Sequence, residues 1–296
     1  MIEMAAASGL PLVPEDQRNP RKTTSYGTGM LIADALEQGI RDIMIGIGGS
    51  ATNDGGMGAM SALGIRFLDG EGRTLRGCGD DLGRTADIDM SGAHPAIKEI
   101  SFTVMSDVEN PLLGKQGAAY TFGEQKGATG QDLESLEKGM EHYAEIVVKK
   151  TGKNRIQEKG AGAAGGLGFA LLSFLDAELK SGIDTVLDIT GFDEKLKDTD
   201  LVITGEGRMD WQSAFGKVPS GVGKRCRKAG VPAAAIVGGL LKGYETIYDT
   251  GIRTVITTIN GAMDLQEAME RSEELYRDAA VRLFRAIACG MEINKM

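Results

Sequence analysis

The sequence predicts an α/β protein built on parallel sheets, and three observations carry that reading. Apolar runs dense in Ile, Val and Ala, such as Ile43–Ile47 and Ala234–Val237, read as strands buried on both faces. After Gly182, such runs alternate with helical patterns, as in a parallel sheet covered on both sides. A length of 296 residues accommodates two domains or one large one.

Taken in order, the chain opens on an apolar segment, Ile2–Ala7, with no polar lead-in. Thr28–Gln38 is predicted as a helix with Leu31, Ala35 and Leu36 on one face and Gly39 as its stop. The Ile43–Ile47 strand follows. Ile65–Leu75 reads as a hairpin around Asp69-Gly70. Ile100–Ser106 is a further strand, and Leu133–Lys150 a charged amphipathic helix with Leu136, Met140, Ile146 and Val147 inward. Gly160–Gly168, glycines among alanines, leads into a helix over Phe169–Lys180. The later strands are Leu201–Thr204, Ala234–Val237 and Thr254–Ile259, with helices over Pro219–Ala229 and Leu265–Cys289. A domain boundary falls near Gly182.

Apolar residues make up 42% of the chain, the range of folded globular proteins. A formal net charge of -9 without a basic patch argues against nucleic acid as a partner. No apolar run reaches membrane-spanning length and no signal peptide opens the chain. Cys78, Cys226 and Cys289 lack metal-like spacing, which suits a reducing cytoplasm. His94, in a loop, and His142, on the charged helix, are the only histidines and read as surface groups, so a histidine-rich metal site is excluded.

Three segments can carry chemistry. The first strand ends in Gly46-Ile47-Gly48-Gly49-Ser50-Ala51-Thr52-Asn53-Asp54-Gly55-Gly56. Glycines let backbone N–H groups approach a ligand, and strand ends are where open α/β sheets bind one. Ser50 and Thr52 offer hydroxyls, Asn53 an amide, and Asp54 a carboxylate for a metal or a substrate hydroxyl. The second is Thr204–Lys217, read as a loop after a strand. Glu206 and Asp210 can supply a metal ligand and a general base, and Arg208 and Lys217 can neutralise a transferring phosphoryl group, with Gln212 and Ser213 alongside. The third is Asp107–Gly114, where Asp107 and Asn110 can meet a hydroxylated substrate or Mg²⁺, or form an Asx-type turn.

Common motifs are excluded. Gly46–Ala51 satisfies a degenerate dinucleotide fingerprint, but Asn53-Asp54-Gly55-Gly56 would break the helix that should open there. Gly216-Lys217-Val218 is no phosphate-binding P-loop, and no G-x-S-x-G elbow occurs.

Together, the Ile45–Gly56 block, Asp107–Leu112, Gly162–Gly168 and Ile203–Asp210 resemble the bacterial glycerate kinase type-1 family. Gln212, Ser213 and Gly216-Lys217 extend the match, as do Ile2–Leu10 and Thr24–Gly29. The resemblance spans essentially the whole chain. It implies a flavodoxin-like parallel-sheet domain carrying a second, inserted α/β domain. Residues 1–182 would be the inserted domain and 183–296 the C-terminal part of the flavodoxin-like one. The family's initial block with a Pro-Asp-Ser-Phe-Lys type motif is absent here. The expectation is therefore an incomplete sheet after Gly182, with lower stability there, self-association and weak turnover.

The resemblance further implies transfer of a phosphoryl group from ATP to D-glycerate, giving 2-phosphoglycerate rather than the 3-isomer, in a cleft between domains. Asp210 would be the general base or orient the hydroxyl. Glu206 would hold Mg²⁺, and Lys217 and Arg208 would face phosphate or carboxylate. Gly48, Gly49, Ser50, Thr52, Asn53 and Asp54 would form one wall and Asp107 with Asn110 another. Two rival readings remain: a fragment that binds glycerate or nucleotide without turnover, and a nicotinamide-dependent dehydrogenase.

Overall fold

A computed structural model describes residues 1–214 and 216–293, with Gln212 described by its backbone alone. The chain divides into two compact units, Met1–Lys180 and Ser181–Met296. Both are α/β with parallel sheets.

In the first unit, β1 (Ile2–Glu3), β2 (Asp42–Gly46), β5 (Ser101–Met105) and β6 (Glu178–Lys180) form a parallel sheet in the order β1-β2-β5-β6. β3 (Arg66–Leu68) and β4 (Asp87–Asp89) make a separate antiparallel pair. Helix α1 (Ala5–Ser8) follows β1, and helices α2 (Tyr26–Glu37), α3 (Met57–Ala62), α4 (Ala118–Phe122), α5 (Gly130–Thr151) and α6 (Ala163–Phe174) share one continuous core with the strands. Ile43, Ile45 and Ile47 are buried, as expected of a central parallel strand. α5 starts at a Thr129/Asp132 capping box and ends at Gly152 in the left-handed conformation.

In the second unit, β7 (Val202–Met209), β8 (Ala233–Leu240) and β9 (Ile252–Thr257) form a parallel sheet with β8 central. Helices α7 (Gly182–Ile189), α8 (Phe192–Lys195), α9 (Val218–Ala229), α10 (Leu265–Glu270) and α11 (Ser272–Ile293) complete it. Two clusters serve it. Ala233, Ala235 and Val237 of β8 pack with Val222 and Cys226 of α9. Ala234 and Ile236 pack with Ala279 and Leu283 of α11. This alternation is that of a strand covered on both faces.

Several predicted elements differ. The buried face of α2 is Thr28, Gly29, Ile32 and Leu36, while Leu31 is exposed. The Ile65–Leu75 hairpin survives only as a tight turn with a Leu68–Thr74 bridge, because β3 takes its main partner from β4. The helix expected over Phe169–Lys180 stops at Phe174, and Glu178–Lys180 pairs with β5 instead. β7 continues five residues beyond Thr204, so Glu206 and Arg208 lie in a strand, opposite Val237 and Gly239 of β8. Glycine and charged residues are poor strand formers, and pairing with β8 overrides that preference. The terminal helix breaks at Arg271 into α10 and α11.

Candidate functional site

The loop after β2 is cross-linked from several sides. Leu10 N–H donates to the Gly49 carbonyl at 2.8 Å and Ala51 N–H to the Ser8 carbonyl at 2.9 Å. Thr23 Oγ1 donates to the Ala51 carbonyl at 2.8 Å. Gly49 has φ +70°, a conformation that favours glycine.

Asp54 is the hub of this loop. Its Oδ2 accepts from Ser25 N (2.7 Å), Ser25 Oγ (2.8 Å) and Gly58 N (3.2 Å), and its Oδ1 accepts from Gly56 N at 3.1 Å. Its side chain is fully buried, so it organises the loop from within rather than lining its surface. Burial pushes its carboxyl above the usual range, against the pull of these hydrogen bonds.

The glycines of Gly162–Gly168 explain themselves here. Ala164, Gly165 and Gly166 all have positive φ, which kinks α6 against the loop. Gly55 N–H donates to the Gly165 carbonyl at 2.9 Å, and a Cβ on Gly165 would lie 2.0 Å from the Thr52 oxygen. The segment is a close-packing surface.

Lys126, which the sequence reading missed, is 2% exposed. Its Nζ donates to Ser50 Oγ at 2.8 Å and to the Thr52 carbonyl at 2.7 Å. Burial lowers its pKa to about 7, while Asp54 acts in the opposite direction. Its short helical turn, Glu124–Lys126, has no periodicity to mark it, and its partners lie more than seventy residues away. Thr52 Oγ1 and Asn53 Oδ1 are buried with no hydrogen-bond partner among the described residues. Asn53 Nδ2 reaches the Ala118 carbonyl at 3.4 Å. Tyr143 is also buried with an unpartnered hydroxyl; burial, then Asp54, drives its pKa well up. Gly48 and Gly49 are exposed, while Ser50, Thr52 and Asn53 are buried.

Asp107 is exposed just beyond β5. Asn110 is engaged in its own loop, its Nδ2 donating to the Gln116 carbonyl at 2.7 Å while its carbonyl accepts from Gly162 N at 3.0 Å. These bonds tie Asn110 to its own loop and to the start of α6, in a pattern that is not an Asx-type turn. The two histidines are structural: His94 Nδ1 accepts from Ala96 N at 3.2 Å, and His142 Nε2 meets the Thr85 carbonyl at 2.7 Å.

In the second unit, the end of β7 brings together Asp210, Ser213 and Lys217. Lys217 Nζ lies 4.0 Å from Asp210 Oδ1. Asp210 N–H donates to Ser213 Oγ at 3.2 Å, and Ser213 N–H returns a bond to the Asp210 carbonyl at 3.1 Å. Ser213 is fully buried and Arg208 exposed. Glu206 is half-buried, and its Oε1 is enclosed without a partner among the described residues. The Gln212 side chain lies outside the described residues. No group of three His, Cys, Asp or Glu side chains is placed to hold a metal among the described residues. No helix among them is long and apolar enough to cross a membrane.

Comparison with known proteins adds a family to this geometry. A model of the Glycerate kinase family matches residues 1–288. A glycerate kinase of Halalkalibacterium halodurans is 47% identical over 295 residues, covering 100% of this chain and 77% of that protein. Glycerate 2-kinase of Escherichia coli K12 is 44% identical over 290 residues, 98% of this chain and 76% of its own length. A crystal structure from Salmonella typhimurium LT2, provisionally assigned as glycerate kinase 2, superposes with a TM-score of 0.85 at 41% identity, covering 98% of this chain and 76% of that one.

Proposed function

Because this chain belongs to the glycerate kinase family, we propose that it transfers the γ-phosphoryl group of ATP to D-glycerate, forming 2-phosphoglycerate. The observation that carries the reading is the Asp210–Lys217 pair at the end of β7, in a chain matched by glycerate kinases over nearly its whole length. Phosphoryl transfer asks a protein for positioning and charge neutralisation more than for covalent chemistry.

In this reading Asp210 accepts the proton of the attacking hydroxyl, with the Lys217 ammonium 4.0 Å from its carboxylate. Arg208, exposed on the same strand, offers a guanidinium to phosphate oxygens. The Gly48–Asn53 loop binds glycerate, with Asp54 holding its shape. Mg²⁺ is commonly held by one or two carboxylates together with phosphate oxygens and water. The enclosed, unpartnered Oε1 of Glu206 fits one such ligand position. A bound Mg²⁺ would neutralise phosphate charge there.

The test is a coupled ADP-release assay with D-glycerate, with ³¹P NMR to tell the 2-phosphate from the 3-phosphate. Glycerate-dependent ADP release with the 2-phosphate as product is expected. Absence of glycerate-dependent release would overturn the reading.

A further inference from the structure

We propose that Lys126 is a positioning residue for the acceptor substrate: from beneath the loop it fixes the Ser50 hydroxyl as a hydrogen-bond donor to the carboxylate of glycerate. This rests on the kinase reading above and names the group that recognises one end of its substrate.

The argument begins with donor and acceptor roles. A lysine ammonium has donors only, so the contacts to Ser50 Oγ and the Thr52 carbonyl are both given by Lys126. A hydroxyl has a single proton. Once Ser50 Oγ accepts from Lys126, that proton is left to be donated, and polarisation by the ammonium strengthens it as a donor. Among the described residues nothing accepts it. The Thr52 hydroxyl beside it is likewise without a partner, on a residue 1% exposed. Buried polar groups are normally paired, so two available hydroxyls at one turn mark a place where something else completes the set.

Access and charge point to the same occupant. Gly48 and Gly49, next to Ser50, are exposed, and a Cβ on Gly48 would meet nothing within 4 Å. A small ligand can therefore reach the backbone there. In its protonated form Lys126 is a cation under the loop, whose field favours an anion over a neutral hydroxyl, and a bound anion in turn favours that form. A single buried cation suits a carboxylate of one charge. A polyphosphate calls for several cations.

Calorimetry on the full chain tests this, titrating D-glycerate and, separately, a nonhydrolysable ATP analogue into wild type, Ser50→Ala, Ser50→Thr, Lys126→Met and the Ser50→Ala/Lys126→Met double variant. Turnover is measured on the same samples. Ser50→Ala and Lys126→Met should each weaken glycerate binding roughly tenfold, as for one lost charge-assisted hydrogen bond. The double variant should be no worse than the weaker single one, because the two act as a unit. Ser50→Thr should recover affinity, and nucleotide affinity should not change. Ser50→Ala keeps the Lys126–Thr52 bond and serves alone if Lys126→Met fails to fold. Unchanged glycerate affinity in Ser50→Ala, with an active wild type, overturns this proposal and leaves the kinase reading intact. Loss of nucleotide affinity instead assigns the loop to phosphate and overturns it as well. A wild type that neither binds nor phosphorylates glycerate overturns both.

Discussion

The two polar strand ends are built on opposite terms. In the first unit, Ser50, Thr52, Asn53 and Asp54 are buried, and the loop is held by residues distant in sequence. In the second, Arg208 and Lys217 are exposed, Asp210 is half-buried, and the hydrogen bonds around Asp210 are local. A loop of the first kind presents one shape and resists change. A strand end of the second kind keeps its charges in contact with water, where a charged ligand can meet them. Substitutions in the first should therefore register in stability, and those in the second in turnover.

The largest expected effect is at Asp54. Asp54→Ala strands Ser25 N, Ser25 Oγ, Gly56 N and Gly58 N in a buried site. A stability loss of about 3–5 kcal/mol is expected, read from urea denaturation. A loss under about 1 kcal/mol would show that the loop tolerates its hub being removed.

At the other strand end, Asp210→Asn keeps the shape and loses basicity. Turnover should fall by about 10²–10⁴-fold, with the urea midpoint almost unchanged. A large fall in stability, with proportionate activity in the folded fraction, would place Asp210 in the first class.

A pH dependence sharpens the contrast. The pKa of Lys126 falls from 10.5 to about 7 on folding. Between those values the unfolded chain holds a proton that the folded chain has released, so stability rises with pH across that window, by up to about 1.4 kcal/mol per unit. Asp54, whose pKa is raised, acts in the opposite sense toward acid: it favours the folded state at low pH and loses that contribution as pH climbs from 3.8. Urea unfolding at pH 6.5 and 8.5 should show the rise in wild type, and Lys126→Met should flatten it. Equal slopes would mean that Lys126 keeps an ordinary pKa in the folded chain.

The smallest expected effect is Gly48→Ala. Its Cβ enters open space, and a stability change within about 0.5 kcal/mol is expected by thermal melting. Gly165→Ala is its counterpart inside the packed loop, where the added Cβ would lie 2.0 Å from the Thr52 oxygen. It should lower the melting temperature clearly. Similar shifts for the two would remove the distinction between open and packed glycines.

Much of the fold was legible because its signals are local. The buried strands β2, β5 and β8 stand out as apolar runs, and α5 and α9 as amphipathic repeats with clear ends. The Gly48–Gly56 loop was legible because glycines and small polar residues after a strand need a reason to be there. Its interior was not. Asp54 looked like a ligand-facing carboxylate until Ser25, twenty-nine residues away, was seen to occupy it. Asn110 carried two readings, and its bond to the Gln116 carbonyl, six residues on, was visible in neither.

What the sequence alone determined is therefore the α/β class, the strand ends and the residue types gathered at them, since periodicity and backbone preference act between near neighbours. The tertiary structure decided which of those residues face inward. It extended β7 through glycines and charges by pairing them with β8, made a strand of Glu178–Lys180 against β5, and set Lys126 under Ser50. Each depends on partners distant in the chain, and the free energy of satisfying a buried polar group exceeds any single residue's local preference.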